Sequence, residues 1–180
     1  MITLGVDPSI NSTGICVNEG DKFTYYIISS KMTKKMTSFQ HDRITFLPYE
    51  KGTAGLTDYS ERESVKTNNI YNIYKNLESI IDKHHPDKIQ MEGVSYGSIG
   101  SAALVDLSGL NFVLRLLFIN KGVEYKIVSP TQNKKFATGN GQAEKDVMID
   151  SWMRLDPEMK DVDIKVDDLA DAYFLSCYQD

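Results

Sequence analysis

Apolar positions along the chain fall into short runs and helical stripes that predict a mixed α/β order. Ile2–Val6 is a short apolar run that stops at Asp7-Pro8, which predicts a buried strand with Asp7 at its C-terminal end. Pro8 to Gly14 is turn chemistry. Gly14–Asn18 and Phe23–Ser29 read as a second and a third strand, joined through Glu19-Gly20-Asp21-Lys22 as an antiparallel meander. Lys31–Ser60 holds no period and is expected to form an extended loop or a hairpin. From Val65 to His85, Ile70, Ile73, Tyr74, Leu77, Ile80 and Ile81 recur at helical spacing. Ser60 and Glu63 suit a capping box at its start, and Pro86 forbids its continuation. Asp87–Glu92 is the fourth strand. Ala102–Asn120 is an almost uniformly apolar helix, expected to be buried on more than one side, and Glu124–Val128 is a fifth strand closed by Ser129-Pro130. Ala143–Leu155 is amphipathic through Val147, Ser151 and Leu155. Asp168–Cys177 is a last helix that packs through Leu169, Ala172, Tyr173 and Leu175.

This order predicts an α/β fold: a five-stranded mixed sheet, its first three strands antiparallel, with helices on both faces. A chain of 180 residues, 41% hydrophobic, suits one domain spanning 1–180, with residues 31–60 as an insertion. The opening residues do not read as a signal peptide. The apolar stretch 102–119 contains Asp106, Asn111 and Arg115, so a buried helix is expected rather than a membrane span. Cys16 and Cys177 lack metal-ligand spacing and read as reduced thiols in a cytoplasmic protein.

The net charge of −5 weighs against a nucleic-acid partner, but its distribution matters more than its sum. From Glu144 onward there are eleven acids against four bases, whereas Gly93–Gln142 carries five bases against two acids. Lys31, Lys34 and Lys35 form a second small basic cluster. A carboxylate-rich site also becomes less negative once it takes up divalent cations.

Four acids sit where element ends bring them together. Asp7 and Glu92 end the first and fourth predicted strands, and sites in open α/β sheets form beyond strand C-terminal ends. Asp168 and Asp171, spaced i, i+3, project from one face of the final helix. Asp167 shares a face with Asp171 at i, i+4, and spacing alone does not choose between Asp167 and Asp168. Each acid has a bland role available: a turn cap for Asp7, a strand end for Glu92, a favourable helix-dipole position for the aspartates. Against those roles, Asp7 and Glu92 follow apolar strand residues, where a charge without a partner is costly. Gathered carboxylates repel unless a divalent ion neutralises them, and an all-oxygen set suits Mg²⁺, with Mn²⁺ as substitute. Two ions roughly 3.5–4 Å apart would clamp a phosphodiester for in-line hydrolysis.

The motifs resemble those of RuvC-type Holliday junction resolvases. Gly5-Val6-Asp7-Pro8 with Ser12-Thr13-Gly14 is similar to the family's opening motif, and Ile89-Gln90-Met91-Glu92 to its second acidic motif. Pro130-Thr131-Gln132-Asn133-Lys134 followed by Gly139 to Lys145 resembles its lysine-bearing segment, and Asp168-Leu169-Ala170-Asp171-Ala172 its C-terminal pattern. The resemblance implies an RNase H-like fold and a homodimer built through the 102–120 helix. It implies Mg²⁺-dependent cleavage of four-way DNA junctions by symmetric nicks. It favours Asp168 over Asp167, and it assigns Lys134 and Lys145 to the DNA backbone, Lys145 also aiding catalysis. The chain departs from the pattern in two places, as a divergent, phage-like member would. Lys31–Ser60 lengthens the stretch before the first long helix. The family's aromatic wedge position is Ser95 here, with Tyr96 beside it as the residue able to stack on an opened base. Rival readings are a nuclease for flaps, forks or RNA–DNA hybrids, an actin-like phosphotransferase fragment, and a junction-binding protein without catalysis.

Overall fold

The structure, a computed structural model, describes residues 1–52, 58–95, 101–160, 162 and 167–179, the side chain of Ser101 excepted. Strand β1 (Thr3–Asp7) pairs antiparallel with β2 (Ser12–Asn18), which pairs antiparallel with β3 (Phe23–Ser29). On the other side of β1 lie β5 (Lys88–Glu92) and β6 (Glu124–Val128), both parallel to it. The sheet has six strands rather than the expected five, in the order β4-β3-β2-β1-β5-β6. The sixth, β4 (Ile44–Pro48), arises inside the segment read as a loop or hairpin. It is an edge strand parallel to β3, reached through the single-turn helix α1 (Lys34–Ser38). Its local pattern hides it: Ile44 alone is buried, Thr45 and Pro48 are exposed, and only one neighbour supplies ladder bonds.

Helices cover both faces. On one, α2 (Tyr59–His84) and α3 (Ser101–Lys121) enclose a core of Leu4, Val6, Ile73, Leu77, Ile89, Leu110 and Leu114 among others. The predicted stripe of α2 is the buried one, but its start lies earlier, where the Asp58 side chain accepts from the Glu61 N–H at 3.0 Å. Asp58, not a Ser60–Glu63 box, therefore caps the helix. At the other end His85 takes the left-handed conformation (φ 46°) just before Pro86. Helix α3 is long and apolar enough, by length and composition, to cross a membrane. Contrary to the expectation of burial on several sides, it exposes Val105, Phe112, Leu116 and Ile119 while Leu110, Leu114, Leu117 and Phe118 sit in the core.

On the opposite face α6 (Asp167–Cys177) lies across β1 and β2, with α5 (Lys145–Leu155) against it. Leu169, Ala172, Tyr173 and Leu175 are buried as predicted. Helix α5 turns inward by Met148 and Trp152, and Val147 and Leu155 of the predicted stripe are exposed. The indole, with more apolar area than either, decides that rotation. Trp152 Nε1 donates to the Tyr25 hydroxyl, which donates to Asp156 at 2.7 Å, and Arg43 closes this buried network on Asp156. Between β6 and α5 the structure adds α4 (Pro130–Thr138), opened by a Ser129–Gln132 capping box. Cys16 and Cys177 are free thiols.

Candidate active site

The five parallel strands β1, β3, β4, β5 and β6 end at one edge of the sheet, and the acids collect at the ends of β1 and β5. Val6 pairs with Met91, so Asp7 and Glu92, the next residue of each strand, finish side by side. Asp7 also faces Gly14 across β2. Gly14 is where α6 sits down: a Cβ there would stand 2.9 Å from Asp168 Cβ and overlap the Asp168 backbone carbonyl. At Gly5 a Cβ would meet Ser176 N at 2.5 Å and the Ala172 carbonyl. Two glycines in adjacent strands thus let the helix backbone lie directly on the sheet, which delivers Asp168 and Asp171 to the end of β1.

Asp7, Glu92 and Asp171 line a cleft of about 330 Å³ together with Lys134, Lys145 and Asn111. Asp168 lies beside it, held by a short hydrogen bond from the Ser12 hydroxyl, and each of the four acids is half-buried. Desolvation and then the charges of Glu92, Asp171 and Asp168 hold the Asp7 carboxyl well above its usual range, with Lys145 opposing them. Desolvation and the charge of Asp171 push Glu92 up to about 8, against a hydrogen bond from Asn133 and the charges of Lys134 and Lys145. Asp171 rises to about 6, mainly by desolvation and the charge of Asp168, with Lys145 and Lys134 pulling it down. The four acids therefore act on one another electrostatically.

Asp167 is placed differently. It is buried, and its Oδ2 lies 2.6 Å from Lys145 Nζ. That hydrogen bond is the main cause of the raised pKa of Lys145. Ser95 is exposed at the cleft mouth. Tyr96 lies outside the described residues.

Three supporting residues carried no role in the sequence reading. Ser12 donates to Asp168 from 156 positions away. Asn133, fully buried on α4, donates to the Asp171 carbonyl oxygen at 3.3 Å and lowers the pKa of Glu92. Asn111 of α3 donates to the Glu92 carbonyl oxygen at 3.0 Å while its Oδ1 accepts from Arg115 Nε and Nη2 at 2.9 and 2.6 Å. A buried asparagine in an apolar helix was the available signal for Asn111; for the others none exists without the fold.

The donor chemistry fits a hard divalent cation: all-oxygen ligands, elevated carboxyl pKa values and mutual repulsion that a cation would relieve. Among the described residues no three of these side chains are yet gathered as a closed ligand set.

The fold matches Thermus thermophilus RuvC in complex with Holliday junction substrate, with a TM-score of 0.64 at 15% identity over 98% of this chain and 90% of that one. It also matches the yeast mitochondrial Holliday junction resolvase, with a TM-score of 0.55 at 16% identity over 97% of this chain and 75% of that one. Fold and acid-lined strand ends define the class as RNase H-like. The family model for crossover junction endodeoxyribonuclease RuvC matches residues 53–174. RuvC of Brachyspira hyodysenteriae is 26% identical over 172 residues, 96% of this chain and 89% of the relative. RuvC of Caldanaerobacter subterraneus subsp. tengcongensis is also 26% identical, over 96% of this chain and 87% of the relative. The chain belongs to the RuvC family of endodeoxyribonucleases, whose members are metal-dependent.

Proposed function

We propose that this chain resolves four-way DNA junctions by paired, symmetric phosphodiester hydrolysis at the cleft, with Asp7, Glu92, Asp168 and Asp171 as ligands for two Mg²⁺ ions. The observation that carries the reading is the convergence of Asp7, Glu92 and Asp171 on one cleft, with Asp168 held beside it by Ser12. Metal in such a site supplies an activated water and stabilises charge on the leaving 3′-oxygen. The chain's own residues do the positioning. Ser12 orients Asp168, Asn133 orients Glu92, and the Asn111–Arg115 pair fixes the backbone that presents Glu92. Lys134 and Lys145 supply positive charge at the cleft, where a phosphate backbone would lie. Lys145 is also the group able to donate a hydrogen bond to a reacting phosphate oxygen.

Paired nicks need two clefts related by a two-fold axis. The exposed apolar row of α3 (Val105, Phe112, Leu116, Ile119) supports a homodimer through this helix. The test is Mg²⁺- or Mn²⁺-dependent cleavage of a synthetic four-way junction with both nicks mapped, beside a Y-fork and an RNA–DNA hybrid. Symmetric nicks in the junction alone are expected. Equal cleavage of the fork or hybrid would replace this reading with a broader nuclease, and full activity of Asp7→Asn would remove the metal role.

A further inference from the structure

Residues 30–52, which cross over from β3 to β4 and leave β4 again, lie outside the segment that matches the family model, yet the exits of both strands lie at the catalytic edge of the sheet. Because β3 and β4 run parallel to β1, Ser29 and Pro48 finish at the same end as Asp7. Both exits dock onto the β1–β2 loop. Ser30 N and Ser29 Oγ donate to the Asn11 carbonyl oxygen at 3.1 and 3.2 Å. Buried Tyr49 donates through its hydroxyl to the Ile10 carbonyl, and Lys51 Nζ donates to Asn11 Oδ1 at 2.8 Å. The next residue, Ser12, is the one that holds Asp168. The segment is therefore anchored one residue from the site's own scaffold.

Near that end Lys31 and Lys51 outnumber the segment's one acid there, Glu50, and Lys34 opens α1. Lys31, Lys34 and Lys51 are exposed and form no ion pair among the described residues. Arg43 is consumed by Asp156 and Glu158. Of the two acids between Ser30 and Gly52, Asp42 lies at the opposite end, just before β4, and Glu50 lines a separate groove with Val65 and Asn69 of α2. A rigidly mounted cationic rim beside a phosphodiester-cleaving cleft matches the polyanionic backbone of a duplex arm leaving that cleft.

We infer that the segment 30–52, around edge strand β4, is an added DNA-backbone contact surface, with Lys31, Lys34 and Lys51 seated on phosphates of one junction arm. This rests on the reading of the cleft as a site for branched DNA. Each phosphate a lysine neutralises contributes about −0.9 to the slope of log K against log salt.

The experiment measures binding of a labelled four-way junction in Ca²⁺ across a salt series, in a cleavage-silenced Asp7→Asn background. The triple variant Lys31→Gln/Lys34→Gln/Lys51→Gln is compared with Lys22→Gln/Lys88→Gln, whose lysines lie at the opposite end of the sheet. The triple variant is expected to bind at least about tenfold more weakly at 0.1 M salt and to lose about two to three from the slope. The control pair is expected to match its parent. A parent that binds the junction, with a triple variant of unchanged slope and affinity, overturns the surface alone. A parent that does not bind it overturns the nuclease reading and this surface together.

Discussion

The Lys145 ammonium lies 2.6 Å from Asp167 Oδ2, while Asp168, one residue on, is held by the Ser12 hydroxyl. Two successive acids at the start of α6 thus face different partners. Asp167 neutralises a lysine; Asp168 adds its charge to that of Asp7 and Asp171. Substitutions are expected to separate them. Asp168→Asn should lower kcat by on the order of a hundredfold or more, the scale of removing a preorganised electrostatic group. It should also raise the Mg²⁺ concentration needed for half-maximal activity. Asp167→Asn should cost less and leave the Mg²⁺ midpoint in place. A metal titration of both variants decides it: a shifted midpoint in Asp167→Asn alone would reverse the assignment.

The elevated carboxyls predict how the metal-free protein responds to pH. Glu92 is raised from 4.5 to about 8 and Asp171 from 3.8 to about 6, both chiefly by desolvation. A carboxyl whose folded pKa is raised binds its proton more tightly in the folded state than in the unfolded one. Its contribution is full below the unfolded value and is lost as pH rises through the folded one. Between about pH 4.5 and 8 the melting temperature of the wild type should therefore fall relative to that of Glu92→Gln. Mg²⁺ should raise it more at pH 8 than at pH 6, because binding needs the ionised acids. Calorimetry across this range is the measurement, and a difference that grows in favour of the wild type at high pH would contradict the electrostatic picture.

Gly14 predicts a coupled loss of stability and activity. A methyl group there overlaps the Asp168 carbonyl, a backbone group that cannot yield as the tip of a side chain would. Gly14→Ala should destabilise the fold by about 1–3 kcal/mol, the usual cost of overpacking. Cleavage should drop further than the unfolded fraction explains, since α6 moves away with its acids. Denaturant melts alongside kcat at a temperature where the variant remains folded would show it, and a wild-type kcat in the folded variant would sink the idea.

The outer row of α3 predicts the assembly. Phe112 and Leu116 are 61% and 58% exposed and lie one turn apart, so Phe112→Lys/Leu116→Glu should leave the fold intact while producing a monomer. Sedimentation velocity and paired-nick mapping are the readouts. The expected variant nicks one strand without its symmetric partner. A wild type that already sediments as a monomer would remove the interface.

The ends of β1 and β5 were legible from residues alone, because an apolar run halted by Asp7-Pro8 or Glu92-Gly93 leaves little choice of element or boundary. The i, i+3 pair on α6 was legible for the same local reason. Other features belong to the tertiary structure. Edge strand β4, with one neighbour and little burial, has almost no periodic signature. Which face of α5 turns inward depended on where Trp152 could reach Tyr25, 127 residues away. Asp167 and Asp168 are equivalent by spacing, and their division followed from Lys145 and Ser12, brought to them by other elements. Local pattern reflects what each segment must bury. Partner choice between distant polar groups arises only when the glycines of β1 and β2 let α6 settle on the sheet.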